Sequence, residues 1–238
     1  MRPDLTQHAD RVRTFDGVHN VRDLGGLVND EGRRVRSGLL YRSDYPGFVD
    51  VAHAVETLGL RSVVDLRQPA EAQYECVDWS AHGVDYLAVP ISAGRETSWH
   101  AKYQGYLTHR PDLVVEAVRK VITPEDAPVL FHCAAGKDRT GTVAALVLGL
   151  LGVPDEEIIA DYVLTEGALT AILGRLSGRG PYAEMLSGSS YDDQLPRAEN
   201  MRGLLDYLHS EGGPRAWLRA HALSDGDVDR FRAATLEG

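Results

Sequence analysis

The sequence predicts an α/β fold: a mainly parallel central sheet flanked by helices, continued by a C-terminal run of helices. Short β-rich runs at 39–41, 61–66, 84–89 and 128–132 alternate with segments of helical periodicity. Such alternation builds a parallel sheet with helices on both faces. The stretch His132-Cys133-Ala134-Ala135-Gly136-Lys137-Asp138-Arg139-Thr140-Gly141 falls between a strand-like run, Pro128 to Phe131, and a long apolar run, Val143 to Leu151. It reads as strand, tight loop, helix. A 43% hydrophobic content over 238 residues suffices for a full core, so 1–238 reads as a single domain.

Taken in order, the first fifteen residues read as an arm or short helix. The Gly25-Gly26 pair marks a turn, before which Asn20, Arg22 and Asp23 either brace the 132–141 loop or pair locally. Asn29 to Gly32 turns the chain toward the strand at 39–41. Arg33, Arg34 and Arg36 read as a solvated face, with contact to an anionic group as the alternative. A helix is expected from Pro46 to Leu58, with Val49, Ala52, Val55 and Leu58 on one face and Gly59 ending it. The strand at 61–66 ends in Asp65-Leu66-Arg67, at the carboxyl edge where open α/β sheets gather ligands. Arg67 there either contacts a ligand or forms a structural ion pair. Pro69 to Val77 reads as a short helix carrying Cys76, a part-buried side chain, with an oxidative bond to Cys133 as the sharper alternative.

After the strand at 84–89, helices are expected at 98–107 and 111–122, then a core helix from Thr142 to Leu151 that Gly152-Val153-Pro154 breaks. Asp155 and Glu156 open the next helix favourably. Helical signal covers 168–176, and the Gly- and Ser-rich stretches at 177–181 and 187–190 read as mobile. The tail from Pro196 to Phe231 reads as three helices with a turn at Gly212-Gly213-Pro214.

The loop at 132–141 carries the chemistry. Five residues between Cys133 and Arg139 let the backbone curl into a cup with its N–H groups inward, at a helix N-terminus. Unpaired amides and the helix dipole both favour a doubly charged oxyanion there. Gly136 permits close backbone approach, and Arg139 can grip two phosphate oxygens with its planar fork. The same positive field stabilises a Cys133 thiolate. Such surroundings lower a thiol from about 8.5 to roughly 3.5–7.5. Cys133 is thus a candidate nucleophile toward phosphorus that needs no metal and no cofactor.

Composition narrows the classes. With 25 basic and 35 acidic residues the formal net charge is -10, which argues against a general nucleic-acid binder. Met1 to Arg13 lacks an apolar signal core, and the longest apolar run is far short of a membrane span. Two cysteines make no disulfide framework, and a reactive thiol suits a reducing cytoplasm. Export by a route without a signal peptide stays open, and a monomer is expected. A nucleotide loop of the GxxxxGK[ST] type is excluded because Asp138 follows Gly136-Lys137. No HExxH or paired Cys-x-x-Cys spacing suggests a metal site.

The Cys-x5-Arg pattern resembles the protein-tyrosine phosphatase superfamily. The fuller string HCxxGKDRTG is similar to bacterial tyrosine phosphatases of the mycobacterial protein-tyrosine phosphatase B type, which act on phosphotyrosine and often on phosphoinositides. Further patches match at Asn20-x-Arg22-Asp23-Leu24-Gly25-Gly26, Arg42-Ser43, Asp65-Leu66-Arg67, Ala160-Asp161-Tyr162, Arg197-Ala198-Glu199 and Trp217-Leu218. The resemblance implies a phosphatase-like sheet with a helical lid at about 165–195. It implies a phosphocysteine on Cys133, with Arg139 and the backbone from Ala134, Ala135, Gly136 and Lys137 holding the phosphoryl oxygens and Thr140 donating to the thiolate. Asp138 matches an acid inside the loop. Pro90 to Gly105, where many tyrosine phosphatases carry an Asp, contains none and offers only Glu96 and His100 as reserves. His132 is expected to shape the loop. Lys137 would suit a multiply phosphorylated inositol ring, but it leaves phosphotyrosine proteins and phosphoinositides undecided as substrates. A non-catalytic phosphate-binding module is the remaining alternative, disfavoured because Cys133 and Arg139 are both present.

Overall fold

The computed structural model describes residues 10–96 and 98–238. Its strands are β1 (Arg22–Asp23), β2 (Arg34–Val35), β3 (Leu40–Ser43), β4 (Ser62–Asp65), β5 (Asp85–Ala88), β6 (Val129–His132) and β7 (Leu236–Glu237). Five of them form the main sheet in the order β1-β3-β6-β4-β5. β3, β6, β4 and β5 run parallel, and β1 closes one edge antiparallel to β3. The mainly parallel α/β sheet expected from the alternation is therefore present. In the register of the three inner strands His132 lies beside both Ser43 and Asp65, so their carboxyl ends finish level.

Every residue of β3, β4 and β6 is buried. A strand covered on both faces has to be apolar on both. Successive side chains leave on opposite faces. Val64, Val129 and Phe131 join one core cluster, and Val63 and Leu130 join the other.

The helices are α1 (Val51–Leu58), α2 (Pro69–Ala72), α3 (Trp99–Thr108), α4 (Pro111–Ile122), α5 (Asp138–Leu151), α6 (Asp155–Val163), α7 (Leu169–Leu176), α8 (Gly180–Met185), α9 (Ala198–Ser210), α10 (Pro214–Ala220) and α11 (Asp225–Thr235). α5 is buried on nearly every side, as a helix apolar all round must be. It starts at Asp138 rather than Thr142, which puts Arg139 and Thr140 in its first turn. No described helix is long and apolar enough to cross a membrane.

Several boundaries differ from expectation for local reasons. α1 begins at Val51, not Pro46, because the Asp50 carboxylate accepts from the His53 amide and caps the helix there. Val49 is consequently 79% exposed, and the buried pair is Ala54 and Leu58, four apart. α2 stops at Ala72. α8 occupies part of the stretch read as mobile. The expected arm at 1–9 lies outside the described residues, whereas Arg11 is buried and Val12 bridges to Arg22. β7 pairs with β2, and Arg33 donates to the carbonyls of Leu236 and Gly238. Arg34 and Arg36 are exposed, in keeping with the solvated face expected of the run, while Arg33 helps to hold residues 236–238.

Candidate active site

The loop from β6 to α5 forms a cup whose carbonyl oxygens are turned outward and held there. His132 Nδ1 lies 3.1 Å from the Cys133 carbonyl. The Ala134 carbonyl accepts from the Tyr45 amide at 3.2 Å and from Arg175 Nη2 at 2.6 Å. The Ala135 carbonyl accepts from Asn20 Nδ2 at 3.1 Å. The Gly136 carbonyl accepts from Arg42 Nη2 at 2.9 Å and the Lys137 carbonyl from the Gly141 amide at 2.7 Å. A peptide unit whose oxygen is pinned outward presents its N–H inward, which is the nest an oxyanion needs. Gly136 lies at φ +65°, where a Cβ would meet the Ser43 carbonyl oxygen at 2.4 Å. Only glycine fits that crossing.

Two of those braces, Arg42 directly and Asn20 through Arg22, rest on one buried carboxylate. Asp161 of α6 accepts from Arg22 Nε at 3.1 Å, Arg42 Nη1 at 2.5 Å and Arg11 Nη2 at 2.9 Å. Burial opposes its charge, but the three guanidiniums hold it far below the usual carboxylate range. Arg22 in turn fixes Asn20, donating to its Oδ1 at 2.5 Å. The Asn20-Arg22 motif therefore braces the loop, one of the two roles open in the sequence.

At the base of the cup Cys133 is 3% exposed. Arg139 aims its fork at Glu71, with Nη1 to Oε2 at 2.6 Å and Nη2 to Oε1 at 2.7 Å. Burial works against the Glu71 charge, yet these bonds hold its carboxyl below the ordinary range. The sequence did not single out Glu71. Its signal was the Gln68-x-x-Glu71 spacing of a capping box, which α2 indeed forms, and that use masks the second one. Glu71→Gln is expected to leave the fold intact, loosen Arg139, and lower kcat/KM about 100-fold, as small misplacements in a site do. Steady-state kinetics on an aryl phosphate checks this, and an unchanged kcat/KM would mean that Arg139 needs no orienting partner.

The loop floors a cavity of about 280 Å³, with Cys133, Asp138 and Arg139 all lining it. Asp138 accepts from the Tyr103 hydroxyl at 2.5 Å. Glu96 also lines the cavity, but His100 does not and instead faces Gln104. Lys137 is buried: its ammonium donates to the Gln194 carbonyl at 2.6 Å and sits 4.6 Å from the Trp99 ring centre. The Thr140 hydroxyl makes no hydrogen bond among the described residues, so the bond expected from it to Cys133 is not formed. His132 is buried and pushed down to about 4, chiefly by desolvation, so its ring is neutral. Since a carbonyl only accepts, Nδ1 carries the hydrogen.

Arg67 donates to Asp65 at 2.7 Å and stacks on Tyr45, so the ion-pair reading holds. Cys76 is exposed and Cys133 buried, and both thiols are free. Over the cavity lie Leu169, Leu173 and Leu176, one face of α7, together with Leu186.

A model of the tyrosine phosphatase family matches residues 13–237. A Cupriavidus necator protein, provisionally named a tyrosine-protein phosphatase, is 36% identical over 167 residues, 63% of this chain and 61% of that one. A tyrosine-protein phosphatase of Nostoc commune is 30% identical over 201 residues, 75% of this chain and 67% of the relative. The triple specificity protein phosphatase PtpB of Mycobacterium tuberculosis is 28% identical over 286 aligned positions, 94% of this chain and 99% of PtpB. The match thus spans under two thirds of the Cupriavidus protein's length and about two thirds of the Nostoc protein's.

Proposed function

The chain belongs to the tyrosine phosphatase family, and on that premise we propose that it hydrolyses phosphate monoesters of tyrosine in proteins through a phosphocysteine on Cys133. The observation that carries this reading is the cup itself: five consecutive carbonyls, from Cys133 to Lys137, are tied outward around one cysteine.

In the first step the Cys133 thiolate attacks phosphorus. The S–P bond forms, the P–O bond to the leaving group breaks, and the electron pair goes to the leaving oxygen. Asp138 gives that oxygen a proton. The inward amides of Ala134 to Arg139, with the Arg139 guanidinium, hold the three remaining oxygens; preorganised donors of this kind lower the barrier most where charge gathers. In the second step water attacks phosphorus, Asp138 takes its proton, and the S–P bond breaks. The Thr140 hydroxyl, which makes no hydrogen bond among the described residues, is free to turn toward the departing thiolate and donate to it. The segment 165–195 acts as a lid that seals an apolar roof over the site. A reducing compartment such as the cytoplasm keeps the thiol active.

One observation favours phosphoinositides as second substrates. Lys102 and Lys137 each set an ammonium 4.6 Å from the Trp99 ring on one wall of the cavity. Two cations there suit a second phosphate on an inositol ring. The test is a panel in chelator: phosphotyrosine peptide, phosphoserine peptide and phosphatidylinositol monophosphates in mixed micelles. Turnover of the phosphotyrosine peptide well above the others supports the first reading. Dominant lipid turnover replaces it with the second, and no turnover of any of them sinks both.

A further inference from the structure

We propose that Tyr103, backed by Tyr162, is the positioning residue that decides which oxygen of Asp138 carries the catalytic proton. The inference rests on Asp138 acting as the acid, as argued above. The two tyrosines come from helices far apart in sequence, α3 and α6, and both are completely buried. Their hydroxyls lie 2.6 Å apart, and that of Tyr103 lies 2.5 Å from Asp138 Oδ1. An ionised carboxylate only accepts, so the Tyr103 hydrogen points to Asp138 and Tyr162 donates to Tyr103. The result is a directed chain, Tyr162 to Tyr103 to Asp138, that ends in the cavity beside Cys133.

A protonated carboxyl has one bare oxygen and one that bears hydrogen. The relay requires that Tyr103 keep donating when Asp138 is protonated, which makes Oδ1 the bare oxygen and puts the proton on Oδ2. Asp138 lines the cavity with its side chain 17% exposed, and Oδ2 lies 3.7 Å from Lys137 Nζ. When the leaving oxygen takes that proton, the new carboxylate keeps the Tyr103 hydrogen bond, which stabilises the charge it has just acquired. The charged and titratable neighbours are Lys137 and Arg139 on the loop and α5, Tyr106 on α3, and Cys133. Glu71, Glu96 and Lys102 line the same cavity. Buried tyrosines with hydroxyls raised well above their ordinary range stay protonated at every working pH, so they remain donors.

Without the Tyr103 donor the Asp138 proton can sit on either oxygen, and the carboxylate formed by the transfer loses the hydrogen bond that stabilises it. On phenyl phosphate, whose leaving group needs the proton, kcat/KM of Tyr103→Phe is expected to fall about tenfold. On p-nitrophenyl phosphate, whose leaving group needs it far less, the fall should be much smaller, so the ratio between the two esters widens.

Pre-steady-state and steady-state kinetics on both esters would be recorded for wild type, Tyr103→Phe, Tyr162→Phe and Asp138→Asn. Support is a wider ratio of p-nitrophenyl to phenyl phosphate kcat/KM in Tyr103→Phe, a smaller widening in Tyr162→Phe, and the largest in Asp138→Asn. If Asp138→Asn keeps the wild-type ratio, the acid reading fails and the relay with it. If Asp138→Asn widens the ratio but Tyr103→Phe keeps it, or loses both esters equally, only the relay is overturned. Should Tyr103→Phe not fold, an unwidened ratio in Tyr162→Phe overturns the relay equally.

Discussion

Cys133→Ser is expected to abolish hydrolysis of aryl phosphates, by about 10⁴-fold or more, while leaving phosphate binding close to wild type. A serine hydroxyl is a far weaker nucleophile than a thiolate at neutral pH, and Asp138 enters the first step as an acid, so it does not make an alkoxide of it. His132 cannot serve: burial pushes it down to about 4, which makes it a weak base, its Nδ1 is committed to the Cys133 carbonyl, and its Nε2 lies 3.8 Å from Asp65 Oδ2. The substitution is close to isosteric, and the residues that hold the cup all act on main-chain oxygens rather than on the thiol. Initial rates and calorimetric titration with a phosphotyrosine peptide separate the two halves of the prediction. Residual turnover within tenfold of wild type would mean that another group attacks phosphorus. Lost binding alongside lost turnover would mean that the thiolate, not the amides and Arg139, holds the anion.

The sheet, the loop and its two central residues were legible because each has a local signal. An apolar run such as Val129-Leu130-Phe131 is what a strand buried on both faces requires. Gly136 is needed where a Cβ would strike Ser43. Partnerships over long sequence separations were not legible. Glu71 meets Arg139 across 68 positions, Arg175 meets the Ala134 carbonyl across 41, and Tyr103 meets Asp138 across 35. No periodicity encodes such a pair, and Arg175 lies on a helix that periodicity recognised only as helix. Lys137 was read for its charge, yet its spacing could not foretell that Gln194 and Trp99 would bury it. Helix starts failed where a side-chain cap, as at Asp50, outweighed a proline upstream.

Asp161→Asn is expected to be strongly destabilising. It keeps the volume and removes the carboxylate that Arg11, Arg22 and Arg42 share at hydrogen-bond distance. Arg22 is already pushed down to about 9, first by burial and then by the neighbouring charge of Arg42. Breaking a buried ion pair from one side costs about 3–5 kcal/mol, since the remaining charge is left uncompensated. For a domain of this size that corresponds to a Tm lower by about 6–20 °C. The control is Asp112→Asn, which breaks an equally short pair with Arg110, 2.6 Å, at a site more than half exposed. Solvent screening leaves an exposed pair contributing little, so its Tm should barely move. Activity should follow the same division. Arg42 and, through Arg22, Asn20 lose the anchor that aims them at the carbonyls of Gly136 and Ala135, so Asp161→Asn at a temperature where it is folded should still turn over more slowly, through a raised KM for phosphate esters. Thermal unfolding followed by calorimetry and kinetics at low temperature test the two halves. A Tm loss no greater than that of Asp112→Asn would mean that the three guanidiniums find other acceptors. An unchanged KM would mean that the main chain alone keeps the cup open to an anion.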